Sequence, residues 1–349
     1  MTPIPPVRAV LASEFWPGAT ARGIAPGLRA AGWLVDEIDL GHFMPKNRTL
    51  VGRVEGRLRH HERVRNFERA ILASARMHDA QAFITVKGVG VRDTTLTALR
   101  ERGCLLVNYY PDYHFNDVPI KRMLDYDLVA TTKSFHLDAL AEHLPVERFA
   151  FVHHGYTAEL HRPVAPTADR EAVDVLYIGN ATPYKARLMV ALATALPDLK
   201  IKVVGHRWLD HAKGTALAAA VSGNAVLGDY YAAEIANAKI VLAFHMGEDA
   251  KTGFQDLVST RTFEIPACGG FMLHIDNDEV RSLYDVPGEI DTFTSPEDLV
   301  AKVRYWLAHP EERAAVAARG HARAVPAYSY VERGRELAAL VEQRLKITP

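Results

Sequence analysis

Three charged residues stand close to a glycine corner late in the sequence, where they could bind an anionic ligand. Asp256, Arg261 and Glu264 come first. The small-residue corner Ala267–Gly270 and the apolar run Phe271–Ile275 follow. This order predicts a helix, a tight glycine turn and a buried strand. Because α/β proteins bind ligands at the edge of a parallel sheet, the corner is a candidate binding site. The same residues also allow a plain helix C-cap with a surface charge pair.

Asp256 and Glu264 are separated by seven residues, which is about two turns of a continuous helix. Both carboxylates would then lie near one face. One acid could contact a sugar ring while the other accepts hydrogen bonds from ribose hydroxyls. Arg261 lies between them and could neutralise a phosphate. An ion pair between Arg261 and Glu264, three residues apart, is the structural alternative.

A second candidate for phosphate binding follows the apolar run Asp174–Ile178. Gly179 and Asn180 stand at its end, with Lys185 and Arg187 at the start of a predicted helix. Backbone N–H groups, a helix N-terminus and two fixed cations together suit a diphosphate. The nucleotide-binding pattern Gly-x-x-x-x-Gly-Lys-Ser/Thr is missing, so this loop is not a P-loop.

The first half of the chain offers polar residues just past two predicted strands. The loop Trp16–Thr20 follows the first strand, and it contains no dinucleotide fingerprint Gly-x-Gly-x-x-Gly. Asp112 and His114 lie past the carboxyl end of strand 105–108, where α/β proteins place catalytic residues. Either residue could activate or orient a substrate hydroxyl. A structural role is equally open for His114.

The segment Lys46–Arg69 is unusually basic. Its apolar positions fall three or four apart, which predicts one long amphipathic helix; they are Val51, Val54, Leu58, Val64, Phe67 and Ile71. A solvated charged face is one interpretation. The other is a docking surface for an anionic partner, such as a phosphate-bearing carrier or a membrane surface.

Bulk composition fits an ordinary globular protein. The chain has 349 residues, 48% hydrophobic and 24% charged, with a formal net charge of −1, so nothing attracts nucleic acid globally. The sequence has only two cysteines, Cys104 and Cys268. It shows no signal peptide and no run of ~18 apolar residues. We therefore expect a cytoplasmic protein. The pairs His60-His61 and His153-His154 lack the spacing of metal ligands, so we expect no metal.

Strands and helices alternate through the whole chain, and the pattern restarts near residue 173. We predict an acceptor-side Rossmann-like domain over 1–165 and a ligand-binding Rossmann-like domain over 166–327. A terminal helix over 328–349 would pack back on the N-terminal domain, and the polar segment 159–171 would be a linker.

The sequence resembles the CgeB-like glycosyltransferases of the glycosyl transferase group 1 superfamily. The most specific match is Arg261-Thr-Phe-Glu264-Ile-Pro-Ala-Cys-Gly-Gly-Phe-Met-Leu, which that family typically writes R-x-F-E-x-x-A-C-G-G-F-L-L. The likeness is strong from about Val173 onward and looser before. It implies an α/β protein of GT-B fold, with two Rossmann-like domains facing across a cleft.

The resemblance implies a donor site in the second domain. Its acid corresponding to Glu264 would hold the donor ribose, while the partner acid, usually Glu, is Asp256 here. The expected donor-binding residues are Gly179, Asn180, Lys185, Arg187, Gly205, His206, His245, Arg261, Thr262, Glu264 and Gly269. The expected catalytic residues are Asp112, His114 and Asp256, and the expected acceptor-side residues are Trp16, Gly18, Ala19 and Thr20.

The implied reaction moves a sugar from a nucleoside-diphosphate sugar to an acceptor hydroxyl of a glycan, protein, lipid carrier or small molecule. We expect retention of configuration and no cofactor or required metal, with cations stabilising the leaving diphosphate. A nucleotide-sugar 2-epimerase of the same fold and a non-catalytic nucleotide-sugar-binding protein are the alternatives.

Overall fold

The computed structural model describes residues 5–45, 49–113, 120–168, 170–223, 228–245, 247 and 255–347. The chain forms two compact units. The first unit comprises Met1–His154 together with Tyr330–Pro349, and the second comprises Gly155–Ser329. The segment 159–171, predicted as a linker, therefore belongs to the second unit.

A six-stranded parallel sheet forms the centre of the first unit, in the order β2-β1-β3-β4-β5-β6. Its strands are β1 Arg8–Ser13, β2 Leu34–Asp39, β3 Ala82–Val86, β4 Leu105–Tyr110, β5 Leu128–Thr131 and β6 Phe149–Phe151. The inner strands are buried on both faces, as expected for a parallel sheet covered by helices. The strand order reverses between β1 and β3, which leaves a crevice at their carboxyl ends.

Seven helices cover this sheet within the residues that the structure describes. They are α1 Thr20–Ala30, α2 Leu40–Phe43, α3 Leu50–Leu58, α4 His60–Met77, α5 Asp93–Glu101, α6 His136–Ala141 and, from the chain end, α14 Tyr330–Ile347. Helices α1 and α14 approach closely because glycines face each other: a Cβ on Gly27 would lie 2.7 Å from Gly334 Cα. Trp33 Nε1 also donates a hydrogen bond to Glu342 Oε1 (2.8 Å). Helix α14 thus belongs to the first unit.

The single long helix predicted over the basic segment is wrong. The chain forms two helices, α3 and α4, that break at Arg59. On α4 the apolar residues Val64, Phe67 and Ile71 are buried as the periodicity predicts. On α3, by contrast, the apolar residues face solvent. The periodicity of apolar residues predicts that a helix has an apolar face. It does not predict whether the rest of the protein covers that face.

A five-stranded parallel sheet forms the centre of the second unit, in the order β11-β10-β9-β7-β8. Its strands are β7 Val173–Ile178, β8 Ile201–Val204, β9 Ala238–Ala243, β10 Met272–Ile275 and β11 Asp291–Phe293. The helices are α7 Pro183–Ala195, α8 Leu209–Ala212, α9 Asp229–Ala236, α10 Arg261–Ala267, α11 Asp278–Leu283, α12 Pro296–Ala308 and α13 Pro310–Ala324. The order reverses between β7 and β9, so the ligand crevice is expected at the carboxyl ends of these two strands.

A buried polar cluster fixes β11 against α12. The Asp291 carboxylate is 1% exposed and accepts hydrogen bonds from Trp306 Nε1 (2.6 Å) and Lys302 Nζ (2.8 Å). Both cysteines are free and buried. None of the described helices has the length and apolar composition needed to cross a lipid bilayer. The predicted α/β class with two parallel sheets is confirmed.

Candidate functional site

Two glycine loops interlock at the carboxyl ends of β7 and β8. Gly179 follows β7 at φ +150°, and Gly205 follows β8 at φ +146°, values that residues with side chains rarely adopt. A Cβ on Gly205 would lie 2.6 Å from Gly179 C, so the two turns exclude side chains from each other. The Asn180 side chain accepts a hydrogen bond from His206 N (3.1 Å), and Trp208 Nε1 donates one to Gly179 O (2.7 Å). The predicted loop residues thus lie together.

Arg261 brings a positive charge to this edge of the sheet. It opens α10, and its Nε donates a hydrogen bond to Ile178 O at the end of β7. The guanidinium lies against Gly179, where any side chain would collide with it, and 5.7 Å from the centre of the Tyr177 ring. Burial alone would lower the pKa of Arg261, but nearby acidic and phenolic groups outweigh burial and raise it. The guanidinium is therefore a permanent, pre-positioned cation.

Glu264 lies one turn further along α10 in a pocket of polar side chains. Its carboxylate is 15% exposed and lies 3.8 Å from His161 Nε2. Burial lowers the pKa of His161, although Glu264 opposes the shift, so the imidazole is neutral near pH 7. Its Nδ1 accepts a hydrogen bond from Thr157 N (3.0 Å), which leaves the proton on Nε2, facing Glu264.

The Tyr231 hydroxyl is a further polar group near Glu264. Burial, and after it the negative charge of Glu264, raise the pKa of Tyr231 well above its ordinary value. The phenol therefore stays protonated. The ring also packs edge-on against His161 (centroids 5.2 Å apart). Two neutral donors thus surround one carboxylate that is open on its solvent side.

Asp256 does not share a helix face with Glu264, so that prediction is wrong. Helix α10 begins only at Arg261, and Asp256 lies in an irregular segment before it. The side chain is nevertheless buried, at 3% exposure. Its negative charge acts on Arg261 and on His274. The structure thus places Asp256 beside the cation rather than on a common helical face.

Thr262 is a structural residue, which corrects its assignment to the donor site. It is fully buried, and its Oγ1 lies 2.9 Å from His274 Nε2. His274 Nδ1 donates to Ile275 O (2.6 Å), so Nε2 must accept the proton of Thr262. Burial lowers the pKa of His274 to about 4, consistent with a neutral ring.

The glycine corner lies at the opposite end of the sheet from Arg261. Helix α10 returns the chain from the carboxyl edge to the amino edge, where Gly269 (φ +77°) and Gly270 precede β10. Gly269 lines a separate cavity of about 370 Å³ with Lys239 and Arg313. The corner is therefore not the binding edge that the sequence predicted, and Gly269 is not near the other donor-site candidates.

Lys185 and Arg187 point in different directions, as two residues two positions apart on a helix must. Lys185 is buried with its Nζ 3.5 Å from Asn180 O, inside the glycine loop. Arg187 is exposed and lies 5.9 Å from the centre of the Tyr184 ring. That ring stacks on His245 beyond the end of β9, with centroids 5.5 Å apart. Both cations therefore remain at the carboxyl edge, but on two sides of α7.

The acceptor-side candidates of the first unit lie at the carboxyl edge of its own sheet. The Asp112 carboxylate pairs with Lys87 Nζ (2.6 Å), which follows β3 in a left-handed conformation at φ +69°. Trp16 is 40% exposed, and Gly18 has φ +94°. Ala19, just before Thr20, is buried and bonds through its N–H to Trp16 O, so that N–H does not face a ligand. His114 lies outside the described residues.

Sequence reasoning missed His161 and Tyr231. His161 lies in the polar segment taken for a linker, and Tyr231 lies in a helix with no charged motif around it. Neither has a spacing relation to Glu264 that a linear pattern could detect. Among the described residues, no group of three His, Cys, Asp or Glu side chains is placed to hold a metal ion.

A family model described as "Glycosyl transferase-like" matches residues 183–339, which include Arg261 and Glu264. These residues form a glycosyl transferase-like region within the second unit and the start of α14. No curated protein sequence matches the chain significantly.

Solved structures share the fold over nearly the whole chain. Sucrose-phosphate synthase from Thermosynechococcus elongatus is 15% identical with a TM-score of 0.67, covering 98% of this chain and 100% of its own. Anabaena HepE in complex with UDP-glucose is 11% identical with a TM-score of 0.63, covering 96% and 99%. A putative UDP-N-acetylglucosamine 2-epimerase from Listeria monocytogenes is 10% identical with a TM-score of 0.55, covering 99% and 98%. The chain has the GT-B fold, and the family match supports the prediction of a glycosyltransferase.

Proposed function

We propose that this protein transfers a sugar from a nucleoside-diphosphate sugar to an acceptor hydroxyl. The observation that carries the proposal is the Arg261 guanidinium, held by Ile178 O over the side-chain-free Gly179 at the carboxyl edge of the second sheet. A cation fixed beside bare backbone suits a diphosphate, because the ligand can approach both. The UDP-glucose complex of HepE, with the same fold, supports a UDP-sugar as donor.

Arg261 would stabilise the negative charge that develops on the leaving diphosphate. Preorganised cations in a partly buried site stabilise such charge strongly, since no solvent has to reorganise around them. Lys185 and Arg187 are further candidates for the same diphosphate. We propose that the transfer needs no metal ion or other cofactor. Retention of configuration follows from the family resemblance and is part of the proposal.

Glu264 would bind the donor ribose. Its open carboxylate oxygens accept hydrogen bonds from adjacent hydroxyl groups, while His161 and Tyr231 hold the carboxylate from behind. Asn180, Gly205, His206 and His245 complete the proposed donor edge. Asp256 would act only through Arg261, because its negative charge interacts with the Arg261 guanidinium.

The first unit would supply the acceptor side. Asp112, oriented by Lys87, is the candidate for accepting or positioning the acceptor proton. His114 and the loop Trp16–Thr20 stay candidates for acceptor contacts. We further propose that the chain belongs to the CgeB-like subfamily and lies in the cytoplasm. The two buried free cysteines support the cytoplasmic location.

The donor assignment is tested by a thermal-shift panel of nucleoside-diphosphate sugars on wild type, Arg261→Lys and Glu264→Gln. At a hundred times its Kd, a ligand stabilises the native state by about 2.7 kcal/mol. For a unit of this size that corresponds to a Tm rise of roughly 5–11 °C. Arg304→Lys and Glu297→Gln, exposed residues of α12, are the matched controls. Equal stabilisation of wild type and both site variants would refute the donor site.

The epimerase alternative is tested by product analysis. The fold that the chain shares with the putative epimerase from Listeria monocytogenes is the reason to test this alternative. A stabilising nucleotide-sugar is incubated with the protein alone, and the sugar is examined for a C2 epimer. Epimer formation without an acceptor would replace transfer by epimerisation. Full retention of biological activity in Arg261→Ala and Glu264→Ala would instead indicate a non-catalytic role.

A further inference from the structure

Helix α3 carries an exposed apolar stripe, defined here as Leu50, Val51, Val54 and Leu58. These side chains are 70%, 79%, 52% and 80% exposed. Among the large apolar side chains that the structure describes, Leu58 and Val51 are the two most exposed. Scattered exposed apolar residues are normal, but a cluster of four on one short helix marks an interaction surface.

The apolar stripe lies on the side of α3 that faces away from the core of the first unit. At 100° per residue its four members span about a quarter of the helix circumference. Gly52 and Gly56 lie on the opposite side, and both are half-buried. An ordinary amphipathic helix turns its large apolar residues inward. Here the glycines face the protein and the apolar residues face solvent, so the stripe is available to a partner.

Positive charge borders the stripe. Arg57 lies next to Leu50 on the helix circumference, and Arg65 lies on the neighbouring helix α4. Both are exposed, and neither has an ion-pair partner in the described part of the chain. The exposed acids of this region, Glu55 and Glu62, both pair with Arg59 (3.5 Å each), and so they do not pair with Arg57 or Arg65.

We propose that α3 docks the protein on the surface of a membrane that contains anionic lipid. The apolar stripe would lie at the boundary of headgroups and acyl chains, and the arginines would bind lipid phosphates. A second copy of the chain fits less well. The nine-residue helix is only about 14 Å long. Its exposed face is therefore far smaller than the ~800 Å² that each partner buries in a stable interface. A two-fold contact through α3 would also bring two copies of Arg57 into one short interface.

The proposal is tested by flotation of the full chain with lipid vesicles. One set is phosphatidylcholine alone, and the other contains about a third phosphatidylglycerol, which supplies the negative surface potential. We expect binding to the anionic set that weakens as salt is raised. Leu50→Ser/Val54→Ser/Leu58→Ser should lower the partition coefficient at least about tenfold. Arg57→Gln/Arg65→Gln should lower it about fivefold per arginine on the anionic set only.

Two controls make the result specific to α3. Val146→Ser removes an apolar residue that is 74% exposed elsewhere in the first unit, and Arg76→Gln removes an exposed arginine at the far end of α4. Both should bind vesicles like wild type. All substituted side chains are exposed, so thermal melting should stay unchanged. The proposal is overturned if wild type does not float with anionic vesicles, or if the triple variant floats equally well. It is also overturned if the triple variant abolishes a dimer seen by light scattering, which would assign the stripe to a second copy.

Discussion

Replacing Gly179 by alanine should weaken donor binding in addition to lowering the stability of the fold. The new methyl group would lie 2.8 Å from Arg261 Cζ and Nε, inside van der Waals contact. The guanidinium is at the end of a flexible side chain and can move aside, but it then loses its hydrogen bond to Ile178 O. The main stability cost is the backbone conformation at φ +150°, which costs about 1–3 kcal/mol for a residue with a side chain. We therefore expect Tm to fall by roughly 2–12 °C.

The displaced guanidinium should lose its contact with the diphosphate. A hydrogen bond to a charged group contributes about 1.5–3 kcal/mol, so the Kd for UDP should rise about 10- to 150-fold. Isothermal titration calorimetry at a temperature well below both melting points measures this directly. Under those conditions the fraction of folded protein is the same in the two samples, and only the site differs.

Gly320→Ala is the control for a loss of stability without a change at the site. Its methyl group would collide with the backbone of Glu289, where α13 packs closely, and not with Arg261. We expect a lowered Tm and an unchanged Kd for UDP. The reasoning about Arg261 fails if Gly179→Ala binds UDP as tightly as Gly320→Ala does.

The remaining predictions concern stability. Thr262→Val should lower the free energy of unfolding by about 1–3 kcal/mol, measured by urea titration, because it leaves a buried acceptor on His274 without a donor. Between pH 6.5 and about 4 the unfolded state binds a proton that folded His274 does not. His274 should therefore contribute a loss of stability of up to about 1.4 kcal/mol per unit as pH falls through this range, in addition to His153 and His161, whose pKa values burial also lowers. His274→Gln should reduce the slope of stability against pH, and an equal slope in the variant would contradict this. Asp291→Asn should cost about 1.5–3 kcal/mol, because the buried carboxylate loses its charge-assisted hydrogen bond to Lys302, whose side chain is 34% exposed. A loss below about 1 kcal/mol in guanidinium unfolding would contradict this interpretation.

The sequence alone predicted the architecture well because parallel strands are distinctive. Apolar runs such as 82–86 and 174–178 are buried on both faces and alternate with helices, so their type could be assigned locally. The helix break at Arg59 could not be predicted locally, because the same apolar periodicity fits one helix or two. The burial of α4 and exposure of α3 depend on what packs against each, which no local pattern contains.

Arg261 and Gly179 illustrate what could be predicted of the site, and His161 what could not. A glycine after a strand and an arginine at a helix start are local signals. Their mutual contact depends on the sheet order, which places the end of β7 beside the start of α10. His161 reaches Glu264 from a segment about a hundred residues earlier in the chain. Nothing in its own neighbourhood indicates burial, so only the folded unit reveals it.

The contiguous motif from Arg261 to Gly270 performs two tasks at two ends of one sheet. Helix α10 must carry the chain from the carboxyl ends of the strands back to the amino ends, because the following strand β10 is parallel to its neighbours. Arg261 and Glu264 therefore serve the ligand edge. Gly270 serves packing instead: a Cβ there would lie 2.5 Å from Ile235 Cγ2 and 3.2 Å from Ile265 Cγ2. A motif that is compact in sequence thus links the donor edge to the position of β10, and substitutions at its two ends should affect binding and stability separately.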